Sequence, residues 1–175
     1  MIGVAFPIEG EAARNLAGVE QALKGVIEFR PGGVPHVSLH GAEEYEIDYA
    51  EVALQSLARS QAPFSVFVAG FGVFSGPQPV IHLAVTRSPR LAVLHRVVAQ
   101  EIGRFATGVD RNFAPERWVP HITITREHVN PSVVAAAAER LAGIDLAFEL
   151  RVTALALIED TGEGQRVLHR RSLSV

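Results

Sequence analysis

The 175-residue chain is 48% hydrophobic and 20% charged, a balance that supports a buried core and excludes an intrinsically disordered protein; the length predicts a single domain over 1–175. A net charge of −3 argues against a general polyanion binder, which needs a broad basic face. With no Cys, disulfides, thiolate metal ligands and cysteine nucleophiles are excluded, and a reducing compartment fits.

The first predicted element is a strand at Ile2–Phe6, in the stretch MIGVAFPIEGEAARN. That stretch has no basic n-region, and its apolar run is too short for a signal peptide or a membrane span, so the expectation is a soluble, cytoplasmic protein with no membrane association. Ala12, Leu16, Val19 and Leu23 then recur at helical spacing as far as Gly25. Lys24 is the only lysine, the other 15 cations being Arg. It precedes Gly25 outside any Walker-type context, which leaves no P-loop. After a strand at His36–His40, a helix is predicted over DYAEVALQSLARS, with Asp48 as cap.

Strands at Phe64–Ala69 and Val80–Thr86 flank a glycine-rich run, GFGVFSG. Prolines rather than a helix follow it, so it reads as a hairpin turn and not as a nucleotide loop. The next helix has Ser88 as cap, Pro89 at its first position, and Leu91, Leu94, Val98, Ile102 and Phe105 on one face. A strand at His121–Thr125 leads to a helix capped by Asn130, opened by Pro131 and stopped by Gly143. The chain closes with strands at Val152–Ile158 and Arg166–Leu173 joined by EDTGEGQ, a hairpin signal. Turns rather than crossover helices join several strand neighbours, so the fold class is α+β with mainly antiparallel pairing.

One phrase occurs twice: VPHVSL at Val34–Leu39 and VPHITI at Val119–Ile124. From the chain's own 10 Pro, 7 His and 15 Ser plus Thr, Pro-His-x-Ser/Thr is expected about 0.03 times by chance. In a strand, His36, Ser38 and His40 share one face while Val37 and Leu39 share the other; His121, Thr123 and Thr125 repeat the arrangement. Each copy thus offers an apolar side to a core and an imidazole with a hydroxyl to something polar. Two such strands facing one another across a central groove would suit displacement at phosphorus. That reaction needs a base at the entering oxygen, an acid at the leaving oxygen, and donors to the non-bridging oxygens. Histidine is suited to both proton-transfer roles near neutral pH, and the scheme requires no metal or cofactor.

PHVSL and PHITI resemble the paired His-x-Ser/Thr signatures of the two-histidine (2H) phosphoesterase superfamily, in particular its 2′-5′ RNA ligase-like and RNA 2′,3′-cyclic phosphodiesterase branch. The segment between the motifs and the closing hairpin are also similar to that family. The resemblance implies two pseudo-symmetric lobes around a central groove. It also implies hydrolysis of a 2′,3′-cyclic phosphate, with His36 and His121 as catalytic pair and Ser38 and Thr123 as phosphate-binding hydroxyls. We assign His121 as the base and His36 as the acid, an assignment that the near-symmetry of the two motifs leaves open to reversal, and the same resemblance makes Arg126 a basic position after the second motif.

Three acids, Glu43, Glu44 and Glu46, follow the first motif where RNA-directed members are more apolar or basic. A short RNA end or a small nucleotide is therefore the expected substrate, with 2′-5′ oligonucleotides and ADP-ribose cyclic phosphate as alternatives. A non-catalytic RNA- or nucleotide-binding module is the contrasting class. Further candidates for substrate contact are His40 on the motif face and Trp118 and Phe6 as base-stacking aromatics. Arg117 and Arg151 are candidates for phosphate contact. His82 and His95 read as structural, and His128 and His169 carry no assignment. No protein partner can be inferred.

Overall fold

The computed structural model describes residues 1–29, 32–125 and 129–174. Nine strands form two antiparallel sheets among these residues. The first sheet has five strands: β1 (Ile2–Pro7), β2 (His36–Tyr45), β5 (Ala106–Val109), β8 (Ala154–Asp160) and β9 (Gln165–Ser172), in the order β5-β2-β1-β8-β9. The second has β3 (Phe64–Phe74), β4 (Val80–Val85), β6 (His121–Thr123) and β7 (Phe148–Val152), in the order β6-β4-β3-β7. Helices α2 (Ile47–Arg59) and α3 (Pro89–Glu101) pack on the first sheet; α1 (Gly10–Leu23) and α4 (Pro131–Leu141) pack together on the second. The chain weaves between the lobes: β1 belongs to one sheet, and α1, which follows it, covers the other. This is the α+β arrangement of two antiparallel lobes that the sequence predicts.

Strand alternation determines which face each sheet gives to its helices. Val4, Phe6, Val37 and Leu39 are buried on the helix side of the first sheet, and Val66, Val68, Ile81, Leu83 and Ile122 lie in the core of the second. Full burial of side chains of this size is worth roughly 1.5–3 kcal/mol each. Among the described residues, no helix is long and apolar enough to cross a membrane.

Local signals set most boundaries. Ser88 accepts the Leu91 N–H at 3.2 Å, and Asn130 accepts the Val133 N–H at 3.0 Å, each just before a Pro that suits the first helical turn. Asp48 does not cap α2. The helix begins at Ile47 after Glu46, and Asp48 falls in its first turn, where a carboxylate is still favoured by the helix dipole. The last helix ends at Leu141, ahead of Gly143. GFGVF is not a turn but the end of β3, paired through Phe74↔Val80, so the reversal is made by Ser75–Pro79. Short β5 (ATGV) carries no alternation of its own and exists through pairing with β2, whereas β7 (FELRV) alternates apolar and polar residues, burying Leu150 and Val152 as it pairs with β3.

Candidate functional site

The two copies of Val-Pro-His are built alike. The Pro35 carbonyl accepts the Ile8 N–H at 2.8 Å, and the Pro120 carbonyl accepts the Val85 N–H at 3.0 Å. Proline fixes φ and brings no N–H of its own, so each motif is anchored through its carbonyl to the neighbouring strand. In both copies the imidazole turns back on the residue before the proline. His36 Nδ1 lies 2.6 Å from the Val34 carbonyl and His121 Nδ1 lies 2.7 Å from the Val119 carbonyl. A carbonyl can only accept, so Nδ1 carries the proton and Nε2 is the nitrogen that can gain or lose one.

Beyond the histidines the register places the hydroxyls. Ser38 pairs with Ala5, and Thr123 pairs with His82. His36, Ser38 and His121 are half-buried and Thr123 is exposed, whereas Val37 and Ile122 between them are buried. β2 and β6 pack against each other across the junction of the two sheets. Trp118 ties them together, its indole Nε1 donating to the Ser38 carbonyl at 3.0 Å.

The surroundings of His121 are aromatic. Phe74 and His82 stack with ring centroids 4.0 Å apart and planes 19° apart. The His121 ring stands nearly perpendicular to both, 4.7 Å from Phe74 and 5.3 Å from His82. Burial lowers the His121 pKa, opposed by its bond to Val119. His82, 5% exposed, is pushed down to about 4 by burial and then by its proximity to His121, against the Val80 backbone. No group of three or more His, Asp or Glu is arranged to hold a metal ion among the described residues.

A family model described as the 2′-5′ RNA ligase superfamily matches residues 10–164. The chain belongs to that superfamily, a group of 2H phosphoesterases. A search of curated proteins finds no match. Among solved structures, Escherichia coli LigT in its apo form is 19% identical with a TM-score of 0.62, the alignment covering 99% of this chain and 97% of LigT. LigT complexed with 3′-AMP gives a TM-score of 0.66 at 18% identity over 99% and 98%. Kluyveromyces marxianus Usb1 gives 0.52 at 17% identity over 95% and 97%.

This 2H phosphoesterase departs from the sequence reading at several positions. His40 is not on the motif face. The β1–β2 register shifts so that Ser38 opposes Ala5 while His40 opposes Val4, leaving Leu39 as the extra residue of a bulge. A one-residue shift turns every later side chain to the other face. His40 therefore lies buried, hydrogen-bonded to the Tyr45 hydroxyl and beside Phe113. Thr125 is likewise buried, its Oγ1 accepting the Ile81 N–H at 2.9 Å where β6 has ended.

Phe6 and Trp118, considered as stacking surfaces for a base, are 1% and 3% exposed. Phe6 is core, and Trp118 stacks instead on buried His95, 4.0 Å away with planes 8° apart. Arg126 and His128 lie outside the described residues. His82 and Phe74 are the neighbours of His121 that sequence reasoning did not place there. His82 is the one polar side chain in VIHLAV, but only the β4–β6 register shows that it faces the second motif.

Proposed function

We propose that the protein is a metal-independent phosphoesterase that hydrolyses the 2′,3′-cyclic phosphate of an RNA end or a small nucleotide, with residues 1–175 acting as one bilobal unit in the cytoplasm. The observation that carries this reading is the matched pair of Nδ1–carbonyl bonds at His36 and His121. Two imidazoles held in the same tautomer, on strands packed against each other, present two Nε2 atoms for proton transfer. A pure binding module would gain nothing from that duplication.

In the reaction so assigned, His121 Nε2 accepts a proton from water as the water oxygen bonds to phosphorus. The bond from phosphorus to one ribose oxygen breaks on the opposite side, and protonated His36 delivers its proton to that oxygen. The product is a ribose phosphomonoester with the other hydroxyl restored. Ser38 and Thr123 hydroxyls donate to the non-bridging oxygens as charge builds on them. The lowered pKa of His121 favours its neutral form at pH 7 and hence the role of base. LigT structures complexed with 3′-AMP, NADP+, ATP and phosphate support a small nucleotide as ligand of this protein.

The test is a panel of nucleoside 2′,3′-cyclic phosphates, 2′-5′ dinucleotides and ADP-ribose 1″,2″-cyclic phosphate, assayed with EDTA present. His36→Ala and His121→Ala are each expected to lower kcat/KM by about 10²–10⁴-fold, the usual loss of an acid or base catalyst. Undiminished turnover in either variant would refute the two-histidine mechanism. Preference for one of the latter two ester classes would reassign the substrate, and binding without turnover of any ester would favour the non-catalytic module.

A further inference from the structure

We propose that Phe74 and His82 form an aromatic slab that positions the His121 imidazole and walls off one side of it for its work as general base; this deepens the two-histidine reading and rests on it. The need for such a support follows from the topology. Among the described residues β6 is three residues long and lies at the edge of its sheet, paired only with β4. A strand that short orients a side chain weakly, and the Val119 contact restrains only one side of the ring.

The slab supplies the rest. Phe74 ends β3, His82 lies in β4, and their stacked rings meet the His121 ring at 84° and 68°. Turning the imidazole away from this orientation would drive it into the slab and break the Nδ1–carbonyl bond. The platform is also built to fit. Gly72 pairs with His82, which in turn pairs with Thr123. A Cβ on Gly72 would come within 2.7 Å of His82 Nε2, so the His82 ring occupies space that only glycine leaves open.

The electrostatic setting is consistent with this role. Buried His82 stays uncharged through the neutral range, since its pKa is near 4, and it therefore walls off water without adding charge. Thr123, from the same strand, pairs with His82 beside His121, and β2, which carries His36 and Ser38, packs against β6. No Lys, Arg or carboxylate among the described residues contributes to its pKa shift. Desolvation by the slab disfavours the imidazolium.

The test combines NMR titration of the His121 ring in the unliganded protein with pH–rate profiles on the best cyclic phosphate substrate. The variants are Phe74→Ala, which removes half of the slab at an exposed position, Gly72→Ala, which displaces His82 without removing it, and His82→Phe, which keeps an aromatic ring in place. In the wild type, His121 is expected to titrate below about 6.5, the ordinary histidine value. Phe74→Ala and Gly72→Ala should raise that midpoint towards the ordinary value and move the acid limb of kcat/KM with it. Both should also lower kcat about tenfold through misorientation, with KM little changed. His82→Phe should keep the midpoint low. A midpoint and acid limb unmoved in folded Phe74→Ala and Gly72→Ala would overturn the proposal while leaving the two-histidine mechanism intact. Absence of turnover in the wild type would instead remove the proposed function.

Discussion

Trp118 donates its indole N–H to the Ser38 carbonyl and lays its ring on His95, so one side chain joins the segment before the second motif to the strand of the first. Replacing it by Phe keeps a ring for the stack and leaves the Ser38 carbonyl without that donor. Trp118→Phe should lower stability by about 1 kcal/mol, the usual net worth of such a bond plus lost packing, read as a lower urea midpoint with unchanged slope. Because the bond also spans the two motif strands, kcat should fall in the folded variant while the slope of unfolding stays the same. The residue-scale contrast between His36 and His40 teaches the same lesson about context. Both are histidines on one strand, four positions apart, yet one is half-buried beside its motif partner residues and the other lies in the core. Strict alternation put them on the same side; the bulge at Leu39 did not allow it.

Helix starts show where a local signal suffices and where it does not. Ser88 and Asn130 act as caps because a side-chain oxygen beside a proline-initiated turn can satisfy an N–H two or three residues on, whatever lies around it. Ser88→Ala should therefore cost about 1 kcal/mol, measured by thermal or denaturant unfolding. Asp48→Ala should cost only about 0.3–1 kcal/mol, since that carboxylate sits in the first turn and makes no cap bond. The strands divide in the same way. β1, β4, β8 and β9 were legible from their apolar runs and turns. Four-residue β5 was not, because its stability comes from the partner it pairs with; the apolar–polar alternation of FELRV in β7 is a strand signal that the sequence reading missed. The misplaced turn at GFGVF has a related cause: glycines that look like a reversal lie within a strand, Gly70 at its bulge and Gly72 where it leaves space for the ring of His82.

Across the whole molecule, three buried histidines make folding sensitive to acid. Burial lowers the pKa of His40, and lowers those of His82 and His95 to about 4. For His95 the Phe113 backbone opposes this shift and Arg87 reinforces it. An unfolded chain takes up protons on these groups near pH 6.5, well before the folded one does. Their contribution is thus fully present above about pH 6.5 and is lost as pH falls, for His82 and His95 towards pH 4 and by up to about 3 kcal/mol each. Thermal unfolding between pH 7.5 and 4.5 should show the midpoint falling. His95→Phe should flatten that dependence while preserving the stack on Trp118; an equally steep fall in that variant would assign the effect to other groups.

Read alone, the amino-acid sequence determined the fold class, the duplicated motif and the superfamily, because these depend on short-range periodicity and on a chemical signature carried within six residues. It also identified His36, His121, Ser38 and Thr123 as one candidate set, since two strands of the same pattern imply two matching faces. Tertiary structure alone decided which neighbours those faces have. Register, a single bulge and the packing of distant strands placed Phe74 and His82 against His121, buried His40 and Phe6, and turned Trp118 from a candidate stacking surface into a tie between the motif strands. Such placements depend on contacts between residues far apart in the chain, and no local pattern in the sequence encodes them.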